Sequence, residues 1–195
     1  MDNDQLVGGK RQADIWSVYV DGSSVQEDAG ILLIVPDKEE FKCSIKFTFP
    51  NTNNAAKYEA LLAGLRLAKR IRAHRVKVFA DSLLVVRQVT GEYEVKDPIL
   101  KAYNGLVKQL WSKFPLIQLT QISRKENSRA DELSRVDPND LKATRGILIE
   151  VIDRPSTTAT EKVMIIEVSD WRSPIIEYLK SPTRETEPES TKLRI

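Results

Sequence analysis

SVYVDGSS, residues 17–24, opens as a β-strand and ends on a carboxylate. Val18 and Val20 alternate with Ser17 and Tyr19, the period of a strand with one buried face. Asp21-Gly22 then breaks the run, and Ser23 and Ser24 follow. Asp-Gly is ordinary turn chemistry. A strand end is also where acidic side chains from neighbouring strands can be gathered into one cluster. The remainder of the chain decides between the two.

Working outward, the strand over residues 16–20 is followed by two more strand-like runs, 30–35 and 41–47, with Pro36-Asp37 as a turn between them. NTNNAAKYEALLAGLRLAKRIRA, residues 51–73, reads as a helix: Tyr58, Leu61, Leu62, Leu65 and Ala68 recur at helical spacing, and Asn53 or Asn54 can cap it. RVKVFADS, residues 75–82, is a fourth strand that again ends on a carboxylate, Asp81. LLVVRQVTG, residues 83–91, is compatible with a buried strand or a short helix. Helix is favoured, because the return to a parallel strand usually carries one. Asp97-Pro98 starts a long amphipathic helix, residues 116–122 form the fifth strand, and ENSRADELSRV, residues 126–136, is the last helix, with Asp131 inside it.

The order β-β-β-α-β-α-α-β-α is that of an α/β fold, a five-stranded mixed sheet with helices on both faces. Parallel neighbours bring their C-terminal ends together, so Asp21 and Asp81, with Asp131 from the helix, can converge. Clustered carboxylates are the donors that Mg²⁺ takes, and a pair of ions about 4 Å apart can drive phosphodiester cleavage. Three aspartates alone are a weak pointer to that chemistry.

Composition narrows the classes. The 195 residues are 41 % apolar and 30 % charged, with a net charge of +2. No apolar run approaches the length needed to cross a bilayer. The first residues contain no apolar signal core, so an intracellular place, cytoplasm or nucleus, is expected. Cys43 is the only cysteine and His74 the only histidine, which excludes an internal disulfide and a His/Cys zinc site. Cys43 reads as an inert strand residue. Trp16, Tyr103, Trp111 and Phe114 read as packing groups rather than stacking platforms. Arg66, Lys69, Arg70, Arg72, Arg75 and Lys77 crowd one helix end and the turn after it, where cations suit the helix dipole.

YVDGSS (19–24), TNNAAKYEALLAGL (52–65), FADSLLVVRQVTGEYEVKDP (79–98) and SRKENSRADELSR (123–135) together resemble the ribonuclease H domain of plant gypsy-type retrotransposon polyproteins. The likeness runs from about residue 16 to 136. DWRSPIIEYLK, residues 170–180, resembles the connector that leads to integrase in those polyproteins. The resemblance implies four regions: an extension over 1–13, a ribonuclease H-like domain over 14–138, a connector over 139–180 and a disordered tail over 181–195. It implies binding of RNA–DNA hybrids and Mg²⁺-dependent endonucleolytic hydrolysis of the RNA strand. Partners would be reverse transcriptase and integrase regions of a polyprotein, with no membrane.

The family site is an Asp-Glu-Asp-Asp set. Asp21, Asp81 and Asp131 carry over as catalytic and metal-binding positions. The glutamate, which follows the Thr-Asn-Asn motif by two further residues, is replaced by Lys57. Glu59 is no substitute: two helical residues turn it by about 200°, onto a face shared with Ala63, Arg66 and Arg70 that reads as solvent. Lys57 shares a sheet-facing side with Leu61, Gly64 and Ala68. Many relatives also carry a histidine ten positions before the last aspartate; here it is Gln121, and His74 lies on the basic turn. Gly22, Ser23, Ser24, Asn53, Asn54, Ser82 and Asn127 fall where the family meets nucleic acid, although each is also an ordinary turn or cap residue. Impaired cleavage is therefore expected. An active hybrid ribonuclease and a non-enzymatic binding or structural module of a reverse transcriptase polyprotein remain alternatives.

Overall fold

The structure, a computed structural model, describes residues 15–158. The extension over 1–13, most of the connector and the tail over 181–195 lie outside the described residues. Strands β1 (Ile15–Ser23), β2 (Asp28–Ile34) and β3 (Glu40–Phe47) form an antiparallel meander. Helix α1 (Asn53–Arg70), strand β4 (Arg75–Ala80), helices α2 (Leu83–Thr90) and α3 (Pro98–Trp111), strand β5 (Leu116–Gln121), helix α4 (Ser128–Ser134) and strand β6 (Ile147–Ile152) follow.

The sheet order is β5-β4-β1-β2-β3-β6. β4 runs parallel to β1 and to β5, and β6 parallel to β3, so β2 alone runs against the rest. Among the described residues, six strands, not five, make the sheet. The extra one is the GILIEVI run beyond Asp137, which pairs along β3 from Lys42↔Ile147 to Phe47↔Ile152 and covers what would otherwise be an open edge.

One face of the sheet carries Trp16, Val18, Val20, Ile31, Leu33, Cys43, Ile45, Val76 and Val78, all buried, and α1 packs on this face over β1 and β2. Helix α3 packs against α1 in turn, and α4 packs on the opposite face over β1, β2 and β3. Two glycines are imposed by these layers. A Cβ on Gly22 would run into the carbonyl oxygen of Ala56 at the start of α1, and one on Gly30 into that of Ala130 in α4. Trp16, Tyr103 and Phe114 are buried and Trp111 packs at the core margin, as packing groups should. Burial holds the Cys43 thiol well above its ordinary range.

The α1–α3 seam holds a polar network. Tyr58 and Tyr103 stack with centroids 5.8 Å apart, and the Tyr58 hydroxyl donates to Gln88 Oε1 at 3.0 Å. Burial pushes the Tyr58 phenol up to about 12 against a slight opposing pull from Asn104. A phenol whose folded value is raised stabilises the fold fully below its ordinary value near 10, and that contribution disappears as pH rises through about 12. Absorbance at 295 nm should therefore show the Tyr58 and Tyr103 phenolates appearing together with loss of helix signal. Their ionisation near pH 10 in an intact fold would contradict this packing.

Candidate active site

Asp21 and Asp81 meet because β1 and β4 are parallel neighbours. Val20 is level with Ala80, and each aspartate is the next residue. Neither oxygen pair faces open water. The Lys57 ammonium lies between them, donating to Asp21 Oδ1 at 3.0 Å and to Asp81 Oδ1 at 2.8 Å. Lys57 reaches this point from the second turn of α1, on the side that also carries Leu61, Gly64 and Ala68, all buried against the sheet. The side-chain exposures are 12 % for Lys57, 7 % for Asp21 and 9 % for Asp81, so the bridge is close to dry. The outer oxygen of Asp81, Oδ2, is 3.7 Å from Arg124 Nε.

The ionisation balance follows from this burial. Burial raises Asp21 above its ordinary value; Lys57 pulls it down, while the charges of Asp81 and Asp131 push it up. Burial alone would lower Lys57, yet its bonds to Asp81 and Asp21 outweigh it and the ammonium is held above its ordinary value. Lys57 is thus a fixed positive charge at neutral pH.

Asp131 stands farther out, 40 % exposed, with Arg135 one helical turn on and its NH2 2.8 Å from Asp131 Oδ1. Its charge still reaches Asp21. Among the described residues, no three His, Cys, Asp or Glu side chains close into a metal-holding group. A divalent ion needs carboxylate oxygens at about 2.1 Å, and the inner oxygens of both strand aspartates are engaged by the ammonium. The residues present do not fit a resident Mg²⁺ pair.

The other sequence-predicted positions surround this bridge or support it. Gly22 and Ser23 finish β1, and Ser23 Oγ accepts from Gln26 N at 3.4 Å in the turn that contains Ser24. The cap of α1 is Thr52, whose side chain accepts from Ala55 N at 3.2 Å; Asn53 and Asn54 are helical residues, not caps. Three polar residues in a row can each stop a helix, and the extended backbone at Thr52 selects it. Ser82 caps α2 through Val85 N, directly after Asp81. Asn127 occupies the cap position of α4 without capping it. Its buried side chain instead donates from Nδ2 to Val20 O at 3.0 Å, tying the start of α4 to β1 beside Asp21. Gln121 ends β5 level with Ala80, whereas His74 precedes β4 at the opposite end of the sheet.

Glu59 departs most from expectation. It is fully buried, not solvent-facing. Oε1 accepts from the Tyr103 hydroxyl and from Ser156 N, both at 2.6 Å, and Oε2 from Ser156 Oγ at 2.5 Å. Arg66 NH1 donates to that same Ser156 Oγ at 2.8 Å. Arg66 and Arg70 on this face suggest solvent; in the fold, α3 and the segment after β6 cover its N-terminal half. Glu59 is a structural anchor on the side of α1 away from the aspartates.

Residues 19–136 match the family model described as reverse transcriptase-like. Ribonuclease HI of Halobacterium salinarum is 35 % identical over 83 residues, 43 % of this chain and 42 % of that protein. A bifunctional protein of Mycobacterium tuberculosis is 39 % identical over 83 residues, 23 % of its length. The chain thus spans less than half the length of these curated relatives. The crystal structure of the Halobacterium salinarum ribonuclease H1 superposes with a TM-score of 0.55 at 30 % identity, covering 61 % of this chain and 93 % of that one. LC11 ribonuclease H1 in complex with an RNA/DNA hybrid gives a TM-score of 0.51 at 32 % identity, covering 60 % and 92 %. The chain belongs to the reverse transcriptase-like family, and its matched region is a ribonuclease H-like domain.

Proposed function

We propose that this chain is a retroelement-derived ribonuclease H-like domain that binds RNA–DNA hybrids and has lost most of its capacity to cut the RNA strand. Hybrid cleavage is the activity of the ribonuclease H relatives, and one superposed relative was crystallised on a hybrid. Asp21, Asp81 and Asp131 take the acidic positions of the site. Ser23, Ser24, Asn53, Asn54, Ser82 and Asn127 border it and meet the sugar-phosphate backbone. The plant gypsy-type origin, with reverse transcriptase and integrase regions as polyprotein partners, rests on the sequence motifs.

The observation that carries the reading of lost activity is the ammonium of Lys57 at 3.0 and 2.8 Å from the two strand aspartates. Hard divalent cations are held by carboxylate charge, and a buried cation on those oxygens opposes them. The fold is otherwise that of the relative crystallised on a hybrid, which supports binding that outlasts cleavage.

Only residues 91–97 separate α2 from α3, too few for an added basic clamp. Affinity should therefore come from a handful of phosphates. With about three such contacts, raising salt from about 50 to 200 mM should weaken binding about fiftyfold. Fluorescence anisotropy of a labelled hybrid across that range is the test. Tight binding that ignores salt, or no binding at low salt, would contradict the proposal.

A further inference from the structure

Each carboxylate of the candidate site is answered by a cation from this same chain. Lys57 serves Asp21 and Asp81, Arg124 Nε stands 3.7 Å from the outer oxygen of Asp81, and Arg135 NH2 is 2.8 Å from Asp131 Oδ1. Three acidic groups and three basic ones leave the patch formally neutral. An acidic cluster without its cations repels a phosphodiester backbone, and divalent ions remove that repulsion where they bind. In this chain the neutralising charge is built in and held by a helix.

The three cations are not equivalent. Lys57 is enclosed, but the Arg124 side chain is 89 % exposed and that of Arg135 58 %. The two exposed guanidiniums can donate to a phosphate in bidentate fashion. Lys57 stays enclosed as the counter-ion of Asp21 and Asp81, so Asp81 does not depend on Arg124 for its neutralising charge.

We infer that Lys57 acts as a built-in counter-ion that makes nucleic-acid backbone binding at this site independent of divalent cations. The inference rests on the proposed reading that the site faces a hybrid, and adds to it that no metal is needed there.

The test uses the unmodified full chain and a fluorescent RNA–DNA hybrid, titrated at one ionic strength in Mg²⁺ and in EDTA. The dissociation constant in EDTA should be no weaker than that in Mg²⁺. A loss of about tenfold or more on removing Mg²⁺ would overturn the inference while leaving hybrid binding intact; no binding in either buffer would overturn both. Lys57→Glu reverses the local charge and should bind about tenfold more weakly than the parent in EDTA. Lys57→Gln, which removes the charge without adding one, should weaken binding severalfold in EDTA and serves if Lys57→Glu is unfolded without metal by circular dichroism. If either folded variant binds in EDTA as tightly as the parent, Lys57 is not the neutralising charge and the inference fails.

Discussion

Replacing Glu59 by alanine should cost this fold about 3–5 kcal/mol, the scale of breaking a buried charged network by removing one partner. The fully buried carboxylate accepts three hydrogen bonds, from the Tyr103 hydroxyl and from the backbone and side chain of Ser156. Removing it strands those donors and leaves Arg66 holding Ser156 alone. It also unfastens the segment after β6 from α1, so the edge strand loses its anchor. Glu59→Gln keeps the shape but gives up the charge, and should cost about 1–2 kcal/mol. Thermal melts read both: a Glu59→Ala midpoint within a degree or two of the parent would show that the network carries no stability.

The second large effect is on chemistry. Lys57→Glu places an oxygen donor where the ammonium now lies and removes the competing cation at the same time. Three carboxylates then face one another with only the exposed Arg124 as counter-ion, and the variant should be less stable than the parent in EDTA. Mg²⁺ should restore that stability, because a ligand bound only by the folded state raises its melting point. The parent's midpoint should barely respond to the same addition. With its ions bound, Lys57→Glu should cut the RNA strand of a hybrid far faster than the parent, by about a hundredfold or more, since a two-metal reaction needs both ions in place.

The position of Lys57 was legible in the sequence, and that of Glu59 was not. Both follow from the pitch of one helix. Lys57 falls with Leu61, Gly64 and Ala68, and that side does meet the sheet. Arg66 and Arg70 on the opposite side suggest solvent, yet Glu59, Ala63 and Leu67 on or near it are buried. A helix between a sheet and a second helix has no fully wet face, and a single sequence does not say what lies on top. The cover here comes from α3 and from Ser156, 97 positions away. The sixth strand was legible as a strand but not as a member of this sheet, for a related reason. ILIEVI has the composition of a strand, but only pairing with β3 puts it in the same sheet. The convergence of Asp21 and Asp81 was readable because parallel strands that each end on a carboxylate leave little choice. The counter-ions were partly readable: Arg135 follows Asp131 at helical spacing, whereas nothing local pairs Arg124 with Asp81.

Single-turnover cleavage of an RNA–DNA hybrid in saturating Mg²⁺, with the parent, Lys57→Glu and Glu59→Gln measured side by side, tests the central claim most directly. The account predicts a nearly silent parent, a Lys57→Glu chain that cuts the RNA strand, and a Glu59→Gln chain no different from the parent. A parent that cleaves at full rate, with Lys57→Glu no faster, would contradict it.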